Sequence, residues 1–197
     1  DYSRLDAAKG IAASIAELAM QQGDRFGWMA LSDTGLRLLP PATGLRQRDR
    51  LLLDMLPLRA EGGFAAETQL APLWERIGAH DLVILLSDCF EPGAIELVEK
   101  LSAAGREVLV IEMLTVGERD FPFDGGYRFR DPETGEELLG DGAALRAEFL
   151  RRFGEARAEL HARLDAVGIR RATHVLDEPI DLPLRRLFGA HDAAEYS

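Results

Sequence analysis

The sequence predicts an α/β fold: a doubly wound, mostly parallel sheet with helices on both faces and a small β-hairpin insertion. Three observations predict it. Residues 82–86 are five apolar residues in a row, too few for a helix and right for a strand buried on both faces. Residues 107–114 and 170–176 are two more β-rich runs, and helical patterns separate all three. Such alternation is the signature of a parallel sheet covered by helices.

The elements follow in order. Residues 3–22 read as a helix, with Ser3 and Asp6 as a capping box and Leu5, Ala8, Ile11, Ala12, Ile15, Leu18 and Ala19 on one face. Gly23 ends it. Residues 26–32 read as a strand, followed by a turn at Gly35 and a short strand over 36–39 that Pro40 and Pro41 stop. A helix over 46–56 is expected to turn Leu52, Leu53 and Leu56 inward. Gly62 and Gly63 form a loop, and another helix runs from about residue 66 to 77.

After the strand at 82–87, Pro92 opens a helix at its first position and Gly105 closes it. Residues 116–140 are rich in Gly, Pro and Asp, with a hairpin expected over 127–130 and 136–139 around a turn at 131–135. Asp141 should cap a long helix to residue 167, with Leu145, Phe149, Phe153, Leu160 and Leu164 on its apolar face. A last strand over 170–176 and a short helix over 182–188 complete the chain. The whole of 1–197 reads as one domain, long enough for a full core.

Composition narrows the function. The net charge of −11 argues against binding to nucleic acid phosphates or an anionic membrane. The longest apolar run is five residues, too short to span a bilayer, and no signal peptide is visible, so a cytoplasmic location is expected. Cys89 is the sole cysteine, so no intrachain disulfide exists. It reads as a small apolar residue and not a nucleophile.

Several chemistries lack their motifs. Lys9 follows Ala8 and Lys100 follows Glu99, so no phosphate-binding Gly-Lys-Ser/Thr occurs. There is neither a G-x-G-x-x-G nor a G-x-S-x-G. His80, His161, His174 and His191 have no metal spacing and are expected to be surface or partly buried residues. What remains is position. Asp88 follows a buried strand, at the edge where open α/β sheets meet ligands. Its alternative role is a turn or helix-capping carboxylate. Ser87 beside it reads as the last residue of the strand.

Three stretches carry a family resemblance: residues 4–27, residues 83–88 (VILLSD), and ERDFPFDG at 118–125 with DPETGEE at 131–137. In this order they resemble a bacterial von Willebrand factor A-like family, the domain-of-unknown-function family numbered fifty-eight, often encoded beside MoxR-type AAA+ ATPases. The resemblance implies a Rossmann-like sheet and a divalent cation on three loops at its C-terminal edge. Asp88 matches the third loop and Thr68 the second. The first loop, Asp-x-Ser-x-Ser, and the central strand before it are missing; Asp1-Tyr2-Ser3 has only the first two letters, and both are expected upstream. Thus no cofactor is expected on this chain, and Mg²⁺ only with the first loop restored. Two ligands are too few for an ion that otherwise keeps its waters.

The first functional expectation is a non-catalytic protein-interaction module. The resemblance implies a MoxR-type AAA+ ATPase as its partner, in assembly or maturation of other proteins. Its binding residues would be Asp88 with Arg119 and Asp120 in the Gly/Pro/Asp-rich segment, whose Phe121 and Phe123 should anchor it in the core. The alternative is a divalent-metal-dependent phosphoester hydrolase using Asp88.

Overall fold

A computed structural model describes residues 2–123, 126–130 and 137–189. The turn expected at 131–135 and His191 lie outside the described residues.

The first helix, α1 (Arg4–Gln22), starts at the capping box read from the sequence: the Ser3 side chain accepts from the Asp6 amide, and Asp6 accepts from the Ser3 amide. Gly23 closes it at φ 78°, a left-handed conformation that favours glycine. Strands β1 (Phe26–Ser32) and β2 (Gly35–Ala42) form an antiparallel hairpin. Pro40 and Pro41 do not stop β2, because it is an edge strand that needs no donor on its outer side.

Helix α2 (Leu45–Met55) corrects the sequence reading. Gln47, Leu51 and Met55 are buried, whereas Leu52, Leu53 and Leu56 face solvent. Gln47 sets the phase. Its Nε2 donates to the carbonyls of Phe26 and Pro40, both at 2.8 Å. Those carbonyls flank the irregular register between Phe26 and Trp28, so the ladder alone does not satisfy them. With Gln47 inward, Leu51 and Met55 follow at four-residue steps, and the other leucines must turn out.

The expected helix at 66–77 is broken. A 3-10 turn (Glu67–Gln69) precedes α3 (Ala71–Arg76), with Pro72 fitted in the first turn, where its missing N–H costs nothing. Strand β3 (Leu82–Ser87), helix α4 (Pro92–Ala103) and strand β4 (Glu107–Leu114) follow as expected. A short helix, α5 (Val116–Asp120), was not foreseen. The hairpin pairs β5 (Gly126–Arg130) with β6 (Glu137–Asp141), and Asp141 directly precedes α6 (Gly142–Ala166). Strand β7 (Arg170–Val175) and helix α7 (Leu182–Phe188) close the described chain.

The α/β expectation holds. Strands β3, β4 and β7 form a parallel sheet in that order, with helices on both faces. On one face, residues of α3, α4 and α6 pack with Val108 and Val110. On the other, Ala7 and Ile11 of α1 and Leu184 and Leu187 of α7 pack with Leu109, Ile111 and Met113. The strand buried on both faces is β4, not β3. Among the described residues β3 pairs only with β4, its residues 83–87 are half-buried, and Leu82 is exposed. Likewise β1 pairs only with β2 and does not join the parallel sheet. His174 on β7 is wholly buried, contrary to expectation, and burial holds its pKa below the usual imidazole range. No described helix is long and apolar enough to cross a membrane.

Candidate functional site

The C-terminal edge of the parallel sheet gathers the N-terminus of α1, the turn after β3, and α5. At the turn, Asp88 accepts from the Phe90 amide (3.3 Å), and the Cys89 amide donates to Ser87 Oγ (3.0 Å). These local bonds let Cys89 adopt φ 62°, a strained conformation for a residue with a side chain. The turn tips Phe90 outward, leaving it 55% exposed. Across from it, Thr115 caps α5 in a second capping box: its amide and hydroxyl donate to Glu118 Oε2 at 2.7 and 2.8 Å.

Arg4 joins the two sides. Its guanidinium pairs with Asp88 Oδ2 (3.3 Å) and with Glu118, and it lies 5.6 Å from the centre of the Phe90 ring. Next along α5, Arg119 makes two 2.8 Å hydrogen bonds to Asp177 and two more to Asp120, at 2.8 and 2.6 Å. Asp88, Arg119 and Asp120 therefore share one edge. An aromatic row backs it: Phe90 faces Phe153 (6.3 Å between centres), Phe153 stacks on Phe149 (5.6 Å), and Phe149 meets Phe121 (4.7 Å), which meets Phe123 (5.0 Å). Phe121 is buried, as an anchor should be.

Thr68 is not brought to this edge. Phe64 packs against Gly93 in the first turn of α4, and Glu67 reaches Lys100 (2.7 Å) two turns further on. The chain thus runs along α4 away from Asp88, and Thr68 lies exposed in the 3-10 turn. The residues present do not fit a Mg²⁺ site. The ion needs several well-placed oxygens, whereas Asp88 faces a guanidinium and lacks Thr68.

Cys89 is buried beside this edge. Burial first, then the charges of Glu112 and Asp88, push its thiol up to about 12. A thiolate is the reactive form, so the native thiol should alkylate at least about a hundredfold slower than free cysteine near pH 8. Iodoacetamide labelling followed by mass spectrometry measures this. Labelling at the free-thiol rate would mean that the turn opens.

One cluster was missed in the sequence. Glu112 of β4 lies in the core with its side chain 4% exposed. It accepts two 2.8 Å hydrogen bonds from Arg157 and one of 3.0 Å from Thr173, and His161 Nε2 is 3.2 Å away. Burial alone would raise its pKa. The Arg157 bonds and charge, with His161 and Thr173, outweigh that and hold the carboxyl below its usual range. The available signal was a glutamate inside the apolar run at 108–114.

Comparison with known proteins adds the following. The model of a family described as "Protein of unknown function DUF58" matches residues 1–159. No curated protein matches the chain. Among solved structures, the conserved hypothetical protein BatB from Bacteroides thetaiotaomicron aligns at 14% identity and a TM-score of 0.46, over 84% of this chain and 88% of that one. An aerotolerance-related membrane protein from Bacteroides fragilis NCTC 9343, with multiple mutations to serines, aligns at 16% identity and a TM-score of 0.47 over the same shares.

Proposed function

This chain belongs to the DUF58 family, and from that premise we propose that it is a non-catalytic interaction module whose partner docks on the edge formed by Asp88, Phe90, Arg119 and Asp120. One observation carries the reading: a large aromatic ring stands exposed on a strained turn, flanked by paired charges, with no activated nucleophile beside it. Phenylalanine and arginine are both enriched at protein interfaces relative to the rest of the surface. The von Willebrand A-like description belongs to this reading, supported by a sheet edge that presents a carboxylate after β3. So does the partner, a MoxR-type AAA+ ATPase in assembly or maturation of other proteins, which the sequence resemblance implies. We take the cytoplasm as the site of action, since such an ATPase works on ATP.

The test is capture of a purified MoxR-type ATPase by the immobilised chain. Phe90→Ala, Asp88→Ala and the double variant Arg119→Ala/Asp120→Ala should each weaken capture by about tenfold or more. Melting temperatures should move by only about 2 °C, because half-exposed ion pairs contribute little to stability. Unchanged capture in all three would remove the edge from the interface. A metal-dependent phosphoesterase activity abolished by Asp88→Asn would favour the hydrolase instead.

A further inference from the structure

Among the described residues, ten large hydrophobic residues are exposed. Four of them, Leu45 (60% exposed), Leu52 (37%), Leu53 (66%) and Leu56 (66%), lie on or just beyond α2. At about 100° per residue they fall within roughly one quadrant of the helix. This is the side away from Leu51 and Met55, so it forms a convex leucine ridge that belongs to none of the hydrophobic clusters among the described residues. Asp49 stands within the ridge, but Arg48 folds over it with hydrogen bonds of 3.0 and 2.7 Å. Arg46 is exposed on one flank, and Arg50 beyond it has its side chain 69% exposed.

Charge singles out the same region. Residues 25–59, the β1–β2 hairpin with α2, hold six arginines against three aspartates, a net +3. The chain totals −11, so the remainder carries −14. The overall charge that argues against an anionic surface therefore does not describe this face.

We propose that the outer face of α2 rests on an anionic lipid surface, with the leucines in the acyl boundary and the arginines at the headgroups. Apolar ridges flanked by arginine are the physical requirement for interfacial binding. Two features favour lipid over a protein groove. The ridge has no aromatic residue, and leucine is under-represented among the residues that dominate protein interfaces. Of its flanking cations, Arg46 is exposed, and Arg50 pairs with Asp54 at 3.8 Å while its side chain stays 69% exposed, so both can reach headgroups. The face is separate from the edge at Asp88, so the two assignments stand or fall independently.

Co-sedimentation with vesicles tests it. Vesicles of about three parts phosphatidylcholine to one part phosphatidylglycerol, at about 0.1 M salt, should carry the protein down; pure phosphatidylcholine should carry much less, and about 0.5 M salt should release it. Leu53→Glu/Leu56→Glu and Arg46→Glu/Arg50→Glu should each lower binding at least about tenfold. All four side chains are exposed, so circular dichroism should be unchanged. Failure of the wild-type chain to sediment, or equal binding by the leucine variant, would overturn the proposal. So would a dimer in analytical ultracentrifugation that the leucine variant dissociates while no vesicle binds, which would make the ridge a self-association face.

Discussion

Replacing Arg157 by methionine is expected to cost about 3 kcal/mol of folding stability at neutral pH, the low end of what removing one partner of a buried ion pair costs. Glu112 would then hold its charge in the core with only Thr173 and His161 as partners. The double variant Glu112→Leu/Arg157→Met should recover most of the loss, since an apolar pair of similar size avoids burying charge at all. Urea unfolding of the three proteins measures both effects. A single-variant loss below about 1 kcal/mol would mean that Glu112 is already neutral or solvated.

Acid sharpens the test. The folded-state pKa of Glu112 is lowered, so its contribution is fully present above the unfolded glutamate pKa and fades as pH falls through the folded value. Without Arg157, burial dominates and the carboxyl pKa rises, so Glu112 takes up a proton at higher pH. The gap between wild type and Arg157→Met should therefore shrink steadily as pH falls. A pH-independent gap would point to lost packing of the Arg157 guanidinium over the Phe153 ring, 5.9 Å from its centre, and not to the charge of Glu112.

What the sequence revealed and what it hid divide by range. Ser3 and Asp6 are three residues apart, so their capping box was legible, as were Pro92 opening α4 and the apolar run of β4. Arg4 was not, because its partners lie 84 and 114 residues away, and nothing local marks one arginine among many. The phase of α2 was misread for a related reason. Leu51, Leu52 and Leu53 are interchangeable by periodicity, and the deciding residue was Gln47, whose job depends on two carbonyls left over by a strand irregularity. At the candidate site the position of Asp88 was readable from its strand, while the tilt of Phe90 and the guanidinium across from it required the fold.

The same limit affected the central strand. Five consecutive apolar residues pointed to β3 as the buried strand, yet among the described residues β4 has neighbours on both sides and β3 on one. Substitution can separate the two positions. Ile111 of β4 is 0% exposed, in one buried cluster with Ile11 of α1 and Leu184 of α7. Ile111→Ala should lose about 2–5 kcal/mol and stay folded. Ile111→Asp adds an unpaired buried charge, and the total approaches the 5–15 kcal/mol that a domain has to lose. That variant should show no cooperative thermal transition. Leu85 of β3 is half-buried beside the cluster that includes Ile95 and Val110. An aspartate there can turn toward solvent, so Leu85→Asp should still melt cooperatively, only at a lower temperature. If Leu85→Asp proves as damaging as Ile111→Asp, the open edge of β3 is covered in solution, and the reading of β3 as a strand buried on both faces was the better one.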